Sequence, residues 1–564
     1  MKAYVTENAA ERESYVGDIF NVGSIKQKNE ILDSLPKEWS KLHKEGYIHI
    51  HDLDAYGKTY NCLALNILNK FPFEKFDGLS DTRKISKLFN YLIEILTRLG
   101  NEQSGGMSFA NFDIEVTELL HNMGIVFNEK NKEIIKDSIY NFIIWCNDCH
   151  TRMGQVSYYV SLNIGLGLEE DERFIAYTVI DEFEHSPIDV YKPNIIFKVK
   201  NGINFEQDSP NYDLLVKALT CTSKKMIPTY LVCNSKTNEE FDPYKLAIMG
   251  CRTRVVKDLF GSDTSIGRGN IDNISINLPR LALESMNDNN PIKTFYNRWD
   301  KVAETVKDIL LDRYYKLMKK DPIDFKLNYE RNLWCVDFDS AKNLEEIFKH
   351  GTLSIGFIGL SEAMEVLTGK RYYLDDETYK EAISFVKHMR EYCDSLIKKY
   401  NLNFSLLATS GELISGRFLE IDKKIYSHKI FDKGFYTNSF HVNVDSHLSA
   451  FEKIKKEGVF HSLSNGGCIS YVELGEAPLG NYEALYELLE TAVNSGTSYL
   501  GFNFPLDICK DCNCQGVFND VCPNCNGKNI LRIRRVSGYL EILDYFTSGK
   551  KNETLTRQRN KWEE

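Results

Sequence analysis

The stretch CKDCNCQGVFNDVCPNCNGKNILRIRRVSGYL (509–540) sets two unlike turns close together. Cys509 and Cys512 form one C-x2-C knuckle, and Cys522 and Cys525 form a second nine residues later, with Gly516, Pro523 and Gly527 supplying turns around them. Four thiolates spaced in this way close a tetrahedral Zn²⁺ shell with no open position for a substrate, so the metal they imply folds the carboxy-terminal segment and does no chemistry. The bland alternative, a group of surface cysteines, gives no reason for paired knuckles. Cys514, beside the first knuckle, is an alternative ligand. Thirteen residues past Cys525 stands Gly538, in RRVSGYL. An isolated glycine beside a tyrosine is ordinarily a turn residue. This one follows a metal knot that would pin its loop. Glycine alone lacks the Cβ that would crowd a planar backbone radical, so a stabilised Cα radical is chemically open to it.

Working outward, residues 377–400 place Ala382, Phe385, Val386, Met389, Cys393, Leu396 and Ile397 at spacings of three and four, which predicts an amphipathic helix. Residues 85–99 repeat the pattern. Short β-rich runs lie between such segments: YIHIHD (47–52), NIIFKV (194–199), YLVC (230–233), ISINLP (274–279) and FHVNV (440–444). Strands alternating with long helices predict a mainly parallel α/β architecture. The one compositional break comes near Pro505, and it divides the chain into 1–505 and 506–564.

Composition excludes several classes. The longest apolar runs fall short of a membrane span, and MKAYVTENAAERESYVGD at the start lacks the apolar core of a signal peptide, so a cytoplasmic protein is expected. A net charge of −11 argues against gripping a nucleic-acid backbone. Neither a Walker G-x-x-x-x-G-K-[ST] nor a G-x-G-x-x-G is present, which leaves main-chain N–H groups at a helix start as the phosphate cradle, with Thr409-Ser410-Gly411-Glu412 as candidate. His49 and His51 alternate onto one strand face beside Asp52, an incipient metal site without a third ligand, and such pairs are more often hydrogen-bonded core residues. Cys146-Asn147-Asp148-Cys149-His150 fits C-x-x-C-H, but in an apolar helical stretch without an export signal haem attachment is not expected.

The knuckles, RRVSGYL and the tail FTSGKKNE resemble the carboxy terminus of the anaerobic, class III ribonucleotide reductases. Upstream the resemblance runs in order through YIHIHDLD, NCLALN, NEQSGGMSFANFD, TRMGQVSYYVSLNIG, MGCRTRV, GRGNIDNISINLPR, GTLSIGFIGLSEA, NFSLLATSGELISGRF, YTNSFHV, ISYVELGEAPLGN and GFNFPLD, nearly the whole chain. It implies a ten-stranded α/β barrel over 1–505, with a finger loop carrying Cys62, and a zinc-binding glycyl-radical domain over 506–564. It implies reduction of ribonucleoside triphosphates to deoxyribonucleoside triphosphates. Gly538 then stores the radical, and Cys62 becomes the thiyl that takes the ribose 3′ hydrogen. Cys251 is the second active-site cysteine and Asn270 a polar group of the same pocket, both associated with formate as reductant, while His51 is a hydrogen-bond partner near the substrate. The implied partners are a radical-SAM activating enzyme with an iron–sulfur cluster, a second copy of the chain in a homodimer, and nucleotide effectors (dNTP/ATP). Many relatives begin with a regulatory ATP-cone; only 61 residues precede Cys62 here, so none is expected. The chain departs from the family at Thr409–Glu412, where relatives carry a proline, and at Glu541, where they often show a second glycine.

Two other readings compete. Other glycyl-radical enzymes, such as formate-lyases and diol dehydratases, carry a vicinal Cys pair or a Cys followed closely by Glu on the finger loop, and this chain has no Cys-Cys. A zinc-ribbon nucleic-acid-binding protein is disfavoured by the acidic balance.

Overall fold

The computed structural model describes residues 7, 14–148 and 158–562. Strand β1 (Ile48–Ile50) is followed by β2 (Cys62–Leu65), β3 (Met107–Phe109), β4 (Val160–Ile164), β5 (Asn194–Val199) and β6 (Thr229–Val232). From β2 to β6 each strand lies parallel to the next. A second set comprises β7 (Arg268–Asn277), β8 (Thr352–Ile358), β9 (Asn403–Ala408), β10 (Ser470–Glu473) and β11 (Tyr499–Asn503). Antiparallel contacts join the two sets at β2–β7 and β6–β11. The last seam is bridged by main chain: the Gly466 N–H donates to the Leu406 carbonyl at 2.8 Å, and the Ala408 N–H to the Gly467 carbonyl at 3.0 Å. A ring of ten strands results. β1 and β2 share one edge of β7, pairing with residues 274–276 and 268–270.

Parallel neighbours need crossover helices, and these cover the ring. The helix Asp376–Tyr400 between β8 and β9 matches the predicted periodicity. Asp375 caps its start by accepting from the Thr378 N–H at 3.0 Å, and Asn401 in the left-handed region ends it. Its face of Ala382, Phe385, Val386, Met389, Cys393 and Leu396 is buried. The helix Asp81–Leu99 does the same for the second predicted segment. The strands alternate accordingly: on β8, Leu353, Ile355 and Phe357 join the main apolar core. Ser354 and Gly356 lie on the opposite face, where a Cβ on Gly356 would meet the hydroxyls of Thr409 and Ser275.

One expected strand does not form. Residues 440–443 are buried and 440–444 form no ladder, because side chains take their main-chain groups: Tyr372 donates to the Phe440 carbonyl at 2.5 Å, and the Val442 N–H donates to Glu457 at 2.9 Å.

The carboxy-terminal segment is a four-stranded antiparallel sheet of β12 (Leu506–Cys509), β13 (Gln515–Gly516), β14 (Ile530–Arg535) and β15 (Leu540–Ile542), in the order β13-β12-β14-β15. Buried Arg535 fixes it to the ring by donating to the carbonyls of Phe502 (3.0 Å) and Met226 (2.5 Å). Among the described residues, no helix is long and apolar enough to cross a membrane.

Candidate active site

The loop between β6 and β7, residues 233–267, enters the ring and reverses at Cys251. Met249 and Thr253 exchange main-chain hydrogen bonds (2.8 and 3.1 Å) across the reversal, and Gly250 takes the positive φ it requires (+58°). From the other side comes the turn 536–539 joining β14 to β15, closed by the Val536 N–H on the Tyr539 carbonyl at 3.0 Å. Gly538 is buried within that turn. A Cβ on it would lie 1.7 Å from the Cys251 carbonyl oxygen and 2.6 Å from the Cys251 Cα, so only glycine fits. Tyr539 and Tyr159 pack edge to face beside the contact, ring centroids 5.1 Å apart.

Cys251, Tyr539 and Cys62 line one cavity, together with Asn273, Thr409 and Glu412. The Arg252 guanidinium lies 2.6 Å from Cys251 Sγ and also donates to the Ala408 carbonyl at 2.6 Å. Glu412 accepts from Ser410 (2.9 Å) and from Ser537 of the glycine turn (2.6 Å). Burial would raise this carboxyl, but the Arg252 charge, the Ser537 hydrogen bond and Lys550 hold it below the usual carboxylate range. Cys62 sits on β2, where its thiol donates to Asn61 Oδ1 at 2.8 Å and its sulfur accepts from the Gly106 N–H at 3.2 Å. Burial pushes it up to about 12. A sulfur kept as S–H suits the transfer of hydrogen atoms better than nucleophilic attack.

A family model described as anaerobic ribonucleoside-triphosphate reductase matches residues 7–560. The chain belongs to that family. It is 28% identical to the anaerobic ribonucleoside-triphosphate reductase of Haemophilus influenzae, covering 93% of this chain and 79% of that one. It is 27% identical to the enzyme of that name from enterobacteria phage T4, covering 96% and 94%. The anaerobic ribonucleotide reductase of Thermotoga maritima, solved in complex with dATP and CTP, superposes with a TM-score of 0.70 at 15% identity over 95% of this chain and 90% of that one.

Within this reductase the expected residues divide. Cys251, Cys62 and His51 line the cavity and Gly538 packs against the Cys251 main chain beside it, with the imidazole of His51 on the Ser275 hydroxyl at 2.8 Å. The expectation that a finger loop carries Cys62 is corrected: Cys62 is on a strand, and Cys251 occupies the tip of the loop. Asn270, opposite Cys62 in the β2–β7 register, is fully buried and donates to Ser354 Oγ at 2.8 Å; it does not line the cavity. Asn273 does. A bulge between Asn270 and Asp272 changes the alternation of β7, so residues three apart come to share a face. The cradle candidate Thr409–Glu412 lies just before the helix that starts at Ile414, and both Thr409 and Glu412 line the cavity, where the Glu412 carboxylate adds negative charge.

His49 and His51 find the third partner their strand lacked, since Glu7 Oε2 lies 2.8 Å from His49 Nε2 and 3.7 Å from His51 Nδ1. These atoms are engaged with one another as a hydrogen-bonded group. Of the C-x-x-C-H stretch, Cys146 is buried in a helix, while Cys149, His150 and the following residues of TRMGQVS lie outside the described residues.

The four knuckle sulfurs lie within 4.8 Å of one another, with Cys509–Cys525 at 3.5 Å and Cys512–Cys522 at 3.6 Å. A tetrahedral zinc with Zn–S of ~2.3 Å requires edges of ~3.8 Å, so the set fits the ion. The N–H groups of Asn524 and Gly527 donate to the Cys522 and Cys525 sulfurs, both at 3.4 Å, as thiolate ligands need. Cys514 is outside the set. Arg252, Asn273 and Glu7 were not foreseen in the cavity wall, and Glu412 was foreseen only as part of the cradle candidate. Only Arg252, next to a candidate cysteine, carried a local signal.

Proposed function

We propose that this reductase stores a radical on Gly538 and reduces ribonucleoside triphosphates through Cys251 as the first thiyl, with Cys62 as the second thiol and formate as reductant. The observation that carries this reading is the packing of Gly538 onto the Cys251 main chain at a cavity that Cys62 also lines. The Cys251 thiol gives its hydrogen atom to the Gly538 Cα, and its sulfur then takes the ribose 3′ hydrogen. The 2′-hydroxyl leaves as water. The Cys62 thiol supplies a hydrogen atom to C2′, formate restores Cys62 and reduces the 3′-keto group as it becomes CO₂, and Cys251 returns the 3′ hydrogen. The assignment reverses the expected order of the two cysteines because proximity to Gly538 favours Cys251. Burial favours the chemistry, since an enclosed radical is kept from water and other quenchers.

Zinc held by Cys509, Cys512, Cys522 and Cys525 would fix the segment that presents Gly538. Radical generation falls to a radical-SAM activating enzyme, which must reach a glycine that is buried when docked. The dATP and CTP bound by the Thermotoga maritima protein support nucleotide substrates and effectors here, and we extend the family's homodimer and a cytoplasmic setting to this chain. Anaerobic EPR after incubation with the activating enzyme, S-adenosylmethionine and a reductant tests the reading. A doublet is expected, followed by formate-dependent deoxynucleotide formation. Absence of the doublet with a demonstrably active activating enzyme sinks it.

A further inference from the structure

Asp52 ends the β1 segment with its backbone in the left-handed region (φ 44°, ψ 48°), a conformation that costs energy for any residue with a Cβ. What holds it there is Arg313, which donates to the carbonyls of His51 (2.6 Å) and Asp52 (3.2 Å) while paired with Asp272 at 2.7 Å. The strained residue contributes to the cavity wall. Its Oδ2 accepts from Asn61 Nδ2 at 2.6 Å and from Ser104 at 3.1 Å. The other end of the same Asn61 amide accepts the Cys62 thiol at 2.8 Å. One amide therefore spaces the Asp52 carboxyl from the Cys62 sulfur, and both border the space a ribose would enter.

The other two carboxyls of the cavity are committed elsewhere. Glu412 is bound by Ser410 and Ser537 and faces the Arg252 charge, and Glu7 is bound to His49. Asp52 and Glu412 are each hydrogen-bonded only by neutral donors on a single oxygen, but Glu412 is held below the carboxylate range by the Arg252 charge, whereas Asp52 shares its donor amide with the Cys62 thiol.

We propose that Asp52 is the proton-exchanging residue of the reaction, giving a proton to the departing 2′-hydroxyl and recovering one from the 3′-hydroxyl, an inference that rests on the nucleotide-reduction reading above. After the 3′ hydrogen has gone to sulfur, the C2′–O bond breaks with its electron pair on oxygen, and the Asp52 proton completes the water. The 3′-hydroxyl proton returns to the carboxylate, and the sugar keeps its unpaired electron as a 3′-keto radical. Charge and protons balance, and no outside oxidant or reductant enters the step.

The surroundings favour a protonated Asp52. Burial and the charges of Glu7 and Asp54 push it upward, against Arg313 and His51, and the net direction is up. Glu7 moves the opposite way: the His49 and His51 imidazoles outweigh its burial and hold it well below the carboxylate range. Two neighbouring carboxyls driven apart in this way are an acid and its tuning anion.

The activated enzyme is tested as Asp52→Asn with two substrates, a ribonucleoside triphosphate and its 2′-chloro-2′-deoxy analogue, whose chloride leaves without a proton. Asparagine tolerates the left-handed backbone, so the Gly538 doublet should match wild type. Nucleotide reduction should fall by about 10²–10⁴-fold, the range for loss of a general acid–base group. Chloride release should stay near the wild-type rate. Equal loss on both substrates, or no loss on either, overturns the proposal. Glu7→Gln gives a second test: removing the neighbouring negative charge lowers the proton affinity of Asp52, so the alkaline limb of kcat should move to lower pH, and an unmoved limb overturns the proposal even if Asp52→Asn fails to activate. A wild-type enzyme that forms neither doublet nor deoxynucleotide instead sinks the underlying reading.

Discussion

The carboxy-terminal segment holds two turns of opposite construction. The knuckles are part-exposed: Cys525 is exposed and Cys512 half-buried while Cys509 and Cys522 are buried, and the sulfurs are ordered by one another and by nearby N–H groups. The 536–539 turn is buried and ordered by the barrel, through Cys251 beneath Gly538 and Glu412 on Ser537. The first can be rigid by itself once a metal closes it, whereas the second is complete only when docked. On the function proposed above, chemistry belongs to the docked turn, and the knuckles govern how reliably it is presented.

The sharpest way to break this contrast is at Gly538. In Gly538→Ala the new Cβ meets main chain at 1.7 Å, which no side-chain movement relieves, so the turn cannot seat. Loss of the doublet and nucleotide reduction at background are expected; a residual doublet of wild-type shape would show that the glycine is not the radical site.

The two cysteines come next. Cys251→Ser and Cys62→Ser should both abolish deoxynucleotide formation, but they should differ by EPR. With Cys251→Ser the doublet should persist when substrate is added, because the first hydrogen transfer is blocked. With Cys62→Ser the doublet should decay on substrate addition, because that transfer still occurs and the later step fails. The reverse pattern would restore Cys62 as the first thiyl.

Zinc removal should act more gently. Cys512→Ser leaves three sulfurs on an ion that is bound through folding of its own segment. We expect the doublet yield to fall several-fold while the barrel, whose core does not include the knuckles, keeps its thermal transition. A doublet yield unchanged after verified zinc loss would separate the knuckles from presentation altogether.

These experiments probe what local sequence left hidden. The zinc ligands were legible because their chemistry is written in short spacings, and the helix Asp376–Tyr400 because burial repeats with the helical period. The placement of Cys62 on a strand and of Cys251 at a loop tip was not legible, since a lone cysteine carries no mark of either. The better signals were Gly250 just before Cys251, where a tight reversal needs a positive φ, and the apolar run of NCLALN, which reads as a buried strand. Asn273 was hidden by a bulge that alternation cannot reveal, and Glu7 by a contact spanning more than forty residues. Residues 440–444 show the reverse failure: a strand-like pattern lost its ladder to hydrogen bonds with the side chains of Tyr372 and Glu457.

The smallest effect is expected at Glu541, the position where relatives often carry a second glycine. Here the carboxylate accepts from the Tyr191 hydroxyl at 2.6 Å and pairs with Lys192 at 3.0 Å, tying β15 to the loop before β5. The same loop holds Lys510 of the knuckle region through Asp189 at 2.5 Å, so one barrel loop grips both turns of the segment. Glu541→Gln keeps the shape and the tyrosine bond but removes the charge, which should weaken docking by about 1.5–3 kcal/mol, the usual worth of a hydrogen bond to a charged group. Weaker docking exposes Gly538 more often. The variant should therefore be activated faster and lose its doublet faster in trace oxygen, with turnover of the docked enzyme unchanged. Hydrogen exchange at residues 536–540 measures the opening directly. Faster exchange without faster activation would mean that opening the turn does not limit access to Gly538, and the knuckles and the docked turn would then have to be released together.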